Sequence, residues 1–282
     1  MRFSATVSLG LFLAFFMASV AMSSGAVAAT VDDFKGQKGT INIAGGTAHI
    51  PVMKAAAQSI MTVNPDVRIT VTGGGSGVGV QQVGEGLVEI GNTGRALKET
   101  EIEKYGLKSF PFAIDGVAVV VNTANKVADL SKEQLIKIFA GEVTNWKEVG
   151  GADAAITLYV REDGSGTRET FEERALDKAT PTNKSNVANS NGAMKTMVAQ
   201  DKNSIGYVSI GHLDDSLKGV AIDGMEPSQE NAQNGTYTVT RQLYMNTKGE
   251  PAGLVRLFID YLFSDDGKGF ISKAGYIPVV TQ

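Results

Sequence analysis

Three times in this sequence an apolar strand runs through a turn rich in glycine and hydroxyl residues into the start of a helix. The three segments are residues 40–50, 67–79 and 155–176. Repeated strand–turn–helix units build α/β sheets whose turns lie at the carboxyl ends of the strands, where ligands bind in open α/β folds. The repetition therefore predicts an α/β fold whose ligand site is assembled from three distant parts of the chain.

The third segment indicates what kind of ligand this is. Residues 161–167 read Arg-Glu-Asp-Gly-Ser-Gly-Thr, after a predicted strand and before a predicted helix. The first N–H groups of a helix have no partner inside it, and the helix dipole there favours negative charge. Ser165 and Thr167 add hydroxyl donors, and the Arg161 guanidinium can bind two oxygens at once. The segment favours a tetrahedral oxyanion, although an ordinary helix cap with a solvated Arg161 is the simpler alternative.

The other two turns have the same design. Thr47 follows two glycines and precedes a helix with Pro51 in its first turn, where a missing N–H costs nothing. Ser76 lies in the glycine-rich stretch 73–79. No turn fits the dinucleotide fingerprint, the phosphate loop that ends in Gly-Lys-Ser/Thr, or the nucleophile elbow of hydrolases.

The first 29 residues predict a secretory signal. Arg2 supplies the positive start, residues 7–20 are mostly apolar, and Ala-Val-Ala at 26–28 is a small-residue cleavage site. The apolar run is too short for a membrane anchor, and the chain has no cysteine to carry a lipid. The prediction is an exported protein that is not a lipoprotein, in the periplasm if the source has an outer membrane.

Composition excludes several classes of function. The 26 basic and 30 acidic residues give a net charge of −4, so the surface offers no long-range attraction to nucleic acid. With no cysteine and two histidines, the chain has no disulfide or thiolate metal site and too few ligands for a histidine cluster. We expect no metal and no cofactor.

One carboxylate lies inside an apolar stretch. The predicted strand 112–121 is interrupted by Asp115 and Gly116, and a buried carboxylate is costly unless it is paired. It is either a bend whose Asp accepts neighbouring N–H groups or a carboxylate that faces the ligand. We favour the second interpretation.

The chain resembles the phosphate-binding protein of phosphate-specific ABC importers, within the type II periplasmic-binding-protein superfamily. The resemblance covers nearly all of the sequence after the signal. It is carried by residues 44–47 with Pro51, 73–77, 90–95, 135–141 with 144–147, 205–209 with Asn122, and above all Arg161 with Ser165, Gly166 and Thr167.

The resemblance implies two α/β lobes joined by two crossing strands, with the ligand cleft between them. Lobe I would hold residues 30–114 and 241–282, and lobe II residues 115–240. It implies a monomeric binding protein without catalytic activity. That protein captures inorganic phosphate and delivers it to an inner-membrane ABC permease and its ATPase.

The resemblance also implies a set of phosphate-binding residues. Hydroxyl or backbone donors come from the three turns and a charged contact comes from the arginine: Thr47, Ala48, Ser76, Arg161, Ser165, Gly166 and Thr167. Ala48 can contribute only its backbone.

One position departs from the longer relatives. Many of them have an Asp where this chain has Gly94, and that Asp accepts the proton of hydrogen phosphate and rejects sulfate. Gly94 and Arg95 are further candidate ligand-binding residues, and Gly94 followed by Arg95 is similar to the shorter relatives. There we expect Asp115 to take the acceptor role.

Alternatives remain open at this point. Sulfate, molybdate or arsenate could be the ligand instead of phosphate. A secreted phosphatase would use Ser165 or Ser76 as nucleophile and His49 or His212 as base, but it would need a third orienting group or metals. A role in surface adhesion is a third possibility.

Overall fold

The computed structural model describes residues 29–279. All but the last residue of the predicted secretory signal lies outside this range. Within the described range, no helix has both the length and the apolar character needed to cross a membrane.

Strands and helices alternate through most of the chain. The strands are β1 (Gly39–Gly45), β2 (Val67–Gly74), β3 (Ile90–Thr93), β4 (Leu107–Asn122), β5 (Asp129–Leu130), β6 (Thr157–Arg161), β7 (Asn186–Ala188), β8 (Ser204–Ser209), β9 (Leu217–Ile222), β10 (Thr240–Lys248) and β11 (Ile277–Pro278). The α-helices are α1 (Ile50–Val63), α2 (Gly75–Gly84), α3 (Glu99–Tyr105), α4 (Lys132–Ala140), α5 (Gly166–Arg174), α6 (Asn191–Gln200), α7 (Gln229–Gln233), α8 (Gly253–Phe263) and α9 (Asp265–Lys273).

Two long antiparallel strands pass through the middle of the molecule. The strand order is β2-β1-β3-β10-β4-β8-β6-β7, with β9 and β11 also paired to β4. The outer strands are parallel: β1 pairs with β2 and β3 on one side, and β6 pairs with β7 and β8 on the other. The carboxyl ends of two parallel groups therefore flank the pair β4–β10.

A separate hydrophobic core lies on each side of this strand pair. One is built from the early and late parts of the chain and includes Ile41, Phe112 and Phe258. The other comes from the middle of the chain and includes Trp146 and Tyr207. We call the part around the first core lobe I and the part around the second lobe II. The α/β fold with two lobes joined by crossing strands is confirmed.

Local sequence signals explain many of the element boundaries. Helix α4 begins after Ser131, whose hydroxyl accepts from the N–H of Gln134 while that side chain reaches back, and it ends at the left-handed Gly141. Trp146 is buried in the core of lobe II. The predicted interruption at Asp115 is wrong, because β4 continues through it: it pairs with β10 up to Gly116 and with β8 beyond.

Candidate functional site

The three glycine-rich turns meet at one small cavity between the lobes. Its volume is about 10 Å³, far below the roughly 300 Å³ at which pockets for drug-sized ligands begin. It is lined by Gly46, Thr47, Ala48, His49, Gly75, Ser76, Gly94, Arg161, Ser165, Gly166, Thr167 and Arg241. None of these lining residues carries a carboxylate, so the wall is suited to a small anion.

Glycines let the lobe I turns approach each other closely. Gly45 has φ of 121°, and a Cβ there would lie 2.3 Å from the Asn92 carbonyl oxygen. A Cβ at Gly79, in α2, would lie 2.4 Å from the same oxygen. Both distances are shorter than any real Cβ contact, so β1, α2 and β3 can pack this tightly only without those side chains. This packing brings Thr47 and Ser76 to the same cavity.

Arg161 ends β6 and is 1% exposed. Its Nε and Nη2 both donate to the Glu162 carboxylate at 2.8 Å, and Nε also donates to the Ala188 carbonyl at 3.1 Å. Its backbone N–H donates to the Tyr207 hydroxyl, and that ring stacks on Phe171. The core of lobe II thus holds the arginine in place. Nη1 is buried and makes no hydrogen bond with any described residue.

The hydroxyl groups on the wall are oriented as donors. Ser76 Oγ accepts from the Gly94 N–H at 3.0 Å, and Ser165 Oγ accepts from the Arg168 N–H at 3.3 Å. Thr47 Oγ1 accepts from both the backbone N–H and the side-chain amide of Asn191, at 3.1 and 3.0 Å. A hydroxyl oxygen that already accepts an N–H leaves its own proton free to donate. The wall therefore presents protons to whatever lies in the cavity.

Several contacts cross from one lobe to the other around the cavity. The Gly77 N–H donates to the Gly164 carbonyl at 3.0 Å, and Asn191 of lobe II donates to Thr47 of lobe I. At the rim, Arg95 Nε pairs with Glu169 at 2.8 Å. The lobes are closed on each other, with donors from both facing the cavity.

Most residues singled out from the sequence lie on this wall. Thr47, Ala48, Ser76, Gly94, Arg161, Ser165, Gly166 and Thr167 all line the cavity. Asp115 and Arg95 do not. Arg95 is paired with Glu101 and Glu169, and Asp115 is buried beside Arg241.

Sequence reasoning missed Arg241. Its guanidinium lines the cavity and pairs with Asp115, which lies directly across from it in the sheet. The apolar surroundings of Asp115 indicated that it needed a partner. Nothing local indicated that the partner lies 126 residues away, because that distance is closed only by the pairing of β4 with β10.

The histidines are poorly placed to act as bases. His49 is fully buried, its Nδ1 donates to the Gly46 carbonyl at 3.1 Å, and burial lowers its pKa to about 3. Burial also lowers the pKa of His212 to about 4, and His212 does not line the cavity. In residues 29–279 no group of His, Asp and Glu side chains could hold a metal ion.

Comparison with known proteins gives a consistent result. Residues 29–266 match the PBP superfamily domain. The phosphate-binding protein PstS of Bacillus subtilis (strain 168) is 41% identical over 254 residues, which cover 88% of this chain and 84% of that protein. PstS of Borreliella burgdorferi is 28% identical over 254 residues, covering 86% of this chain and 90% of that protein.

Solved structures agree with the sequence relatives. A phosphate ABC transporter substrate-binding protein from Clostridium perfringens, solved with bound phosphate, has a TM-score of 0.80 and 37% identity, and covers 86% of this chain and 100% of that chain. An ABC-type phosphate transport receptor from Vibrio cholerae has a TM-score of 0.68 and 34% identity, covering 84% of this chain and 99% of that one.

Proposed function

Because this chain belongs to the PBP superfamily and, within it, to the phosphate-binding proteins of ABC importers, we propose that it captures inorganic phosphate between its two lobes and delivers it to such an importer. A single observation carries the proposal. Arg161 Nη1 is buried with no hydrogen-bond partner among the described residues, in a cavity lined by hydroxyl donors. A buried cationic N–H without an acceptor is costly, and a tetrahedral oxyanion would supply that acceptor.

The helix starts add to this attraction. Helices α2 and α5 begin on the wall, at Gly75 and Gly166, and α1 begins just after the short 3-10 helix Thr47–His49. Their free N–H groups and dipoles favour an anion. Arg161 keeps Glu162 as its counter-ion, so the helix starts and hydroxyls must help to hold the charge of the ligand.

The proposed contacts divide between the lobes. Thr47, Ala48 and Ser76 would donate hydroxyl or backbone hydrogens from lobe I, and Arg161, Ser165, Gly166 and Thr167 would donate from lobe II. Neither lobe holds the full set, so closure completes it, and the ligand stabilises the closed state by the contacts it gains there. We propose that lobe I comprises residues 30–114 and 241–282, and that lobe II comprises residues 115–240.

The closed protein would be recognised outside the cytoplasm by an inner-membrane permease with its ATPase, and it would act as a monomer without catalysis. Export by the N-terminal signal to the periplasm, with no lipid anchor, belongs to the same proposal. The low pKa of His49 and the carboxylate-free wall offer little to a phosphatase.

The test is titration of the purified protein, unfolded, dialysed and refolded to remove co-purified anions, with phosphate, arsenate, sulfate and molybdate in a calorimeter. We expect phosphate to bind with a Kd of about 1 μM or tighter, and arsenate to bind as well because its shape and protonation are the same. Phosphorus NMR of the untreated protein should detect phosphate. Absence of phosphate binding, or hydrolysis of a chromogenic phosphate ester by the protein, would overturn the proposal.

A further inference from the structure

We infer that Arg241 is a second cation in contact with the bound anion, and that Asp115 is its counter-ion rather than an acceptor for the ligand. This inference rests on the proposed anion-binding function. It concerns which residues determine the specificity of the cavity. The sequence pattern had pointed to the carboxylate, whereas the structure puts the guanidinium on the wall.

Arg241 lines the cavity, and its hydrogen bonds leave one guanidinium nitrogen without a protein partner. Nε and Nη2 both donate to Asp115 Oδ2, at 2.9 and 2.8 Å. Nη1 makes no hydrogen bond with another described residue. It lies beside Gly94, where an added Cβ would be 2.6 Å from Nη1. Gly94 itself lines the cavity, and its N–H donates to Ser76 Oγ. The free nitrogen is therefore next to the start of α2.

Asp115 already accepts hydrogen bonds from two side chains. In addition to Arg241, the Ser209 hydroxyl donates to Oδ1 at 2.8 Å, and the residue is 1% exposed. Burial raises the pKa of Asp115, and the Arg241 guanidinium opposes that shift. A carboxylate with both oxygens occupied and no surface on the cavity wall is poorly placed to accept a proton from the ligand. It neutralises the arginine instead.

The glycine at position 94 follows from this arrangement. The guanidinium of Arg241 occupies the space that a side chain at 94 would need, since the Cβ position is also 3.0 Å from Arg241 Cζ. A donor, the Arg241 guanidinium, therefore occupies the space in which a side chain at position 94 could have offered an acceptor. Arg161, Arg241 and the hydroxyls all donate to the anion, and Asp115 has no surface on the cavity wall, so rejection of sulfate does not depend on Asp115.

The first experiment compares phosphate and sulfate binding to the wild-type protein and Asp115→Asn. Removal of a counter-ion affects both anions alike, so we expect the ratio of the two affinities to change by less than about threefold, which is less than half of the roughly 1.4 kcal/mol that a tenfold change represents. A selective loss of phosphate affinity with a gain for sulfate would overturn the inference. A wild-type protein that fails to bind phosphate would instead refute the proposed function.

The second experiment is a double variant that tests Arg241 itself. Arg241→Met combined with Asp115→Asn removes both charges and avoids an unpaired buried carboxylate. Compared with Asp115→Asn alone, we expect phosphate affinity to fall about tenfold or more, the scale of a hydrogen bond to a charged group. An unchanged affinity would overturn the inference.

Gly94→Ala, measured in the wild-type protein and in the Arg241→Met/Asp115→Asn variant, forms a double-mutant cycle. Its Cβ should displace the guanidinium and weaken phosphate binding in the wild-type protein, but have little effect in the Arg241→Met/Asp115→Asn variant. Equal losses in both backgrounds would mean that the Cβ acts on the anion without Arg241, and would contradict the inference.

If the Asp115 variants do not fold, Arg241→Lys keeps the pair charge-balanced but shortens its reach. We then expect a loss of affinity of about tenfold in that variant, and wild-type affinity would refute the contact.

Discussion

Asp115 and Arg241 are direct partners across the two strands that join the lobes. Arg241 is 9% exposed and Asp115 is 1% exposed, and two hydrogen bonds of 2.9 and 2.8 Å connect them. The pair lies where the chain passes from one lobe to the other, and its arginine also lines the cavity. The charge of the site and the structure of the lobe junction therefore depend on the same two side chains.

Arg161→Ala should weaken phosphate binding at least tenfold, about 1.4 kcal/mol or more. The variant removes the buried Nη1 that lacks a protein partner and leaves Glu162 unbalanced beside the cavity. Calorimetric titration measures the change. Arg256→Ala, which breaks an exposed pair with Asp260, is the matched control and should bind like the wild-type protein. Equal affinities for the two variants would contradict the role of Arg161.

Thr167→Val should weaken phosphate binding about tenfold or more while leaving the melting temperature nearly unchanged. The hydroxyl lines the cavity and makes no hydrogen bond to another described residue, so folding does not depend on it. Thr170→Val on the same helix removes a hydroxyl that donates to the Gly166 carbonyl at 2.9 Å. It should lower stability and leave affinity nearly intact. If Thr167→Val instead lowered stability and left the affinity for phosphate intact, Thr167 would not be a ligand-binding residue.

Gly79→Ala should destabilise the fold by about 2 kcal/mol or more. The added Cβ would lie 2.4 Å from the Asn92 carbonyl oxygen, which is backbone and cannot rotate away. Gly269→Ala on α9 is the control. No atom lies within 4 Å of its Cβ position, so the better helix propensity should stabilise the protein by up to about 1 kcal/mol. Urea unfolding measures the change in the free energy of unfolding of both variants. Similar changes in the two variants would contradict the packing argument.

Stability should fall as the pH is lowered from about 6.5 toward 3. Burial lowers the pKa of His49 to about 3 and that of His212 to about 4, both below the ordinary 6.5. The unfolded chain therefore binds more protons in this window, and each histidine should cost about 2 kcal/mol at pH 5 relative to neutral pH. Urea unfolding at pH 7.5 and pH 5 measures the loss.

Histidine variants separate this effect from the acidic residues. His49→Asn keeps a short donor near the Gly46 carbonyl but cannot titrate, and His212→Gln removes the second group. Each variant should lose about 2 kcal/mol less stability between the two pH values than the wild-type protein does. A pH dependence identical to that of the wild-type protein would show that the histidines are not its source.

Local pattern was sufficient for the elements and for most of the cavity wall. Residues 166–174 form a helix, and Thr47, Ser76 and Thr167 meet at one cavity, as three strand–turn–helix units predicted. This succeeded because glycine turns, helix starts and alternating strands are encoded within about ten residues, and parallel strands bring their carboxyl ends to one edge.

The sequence by itself determined the α/β character of this protein, its repeated anion-favouring turns and the arginine at the third of them. Tertiary structure alone decided how charge is distributed around the cavity. It placed Arg241 on the wall with Asp115 as its buried partner, and it paired Arg95 with Glu101 and Glu169. The physical reason is that an ion pair depends on distance in space. These partners are brought together by strand pairing and lobe closure, which no short stretch of sequence records.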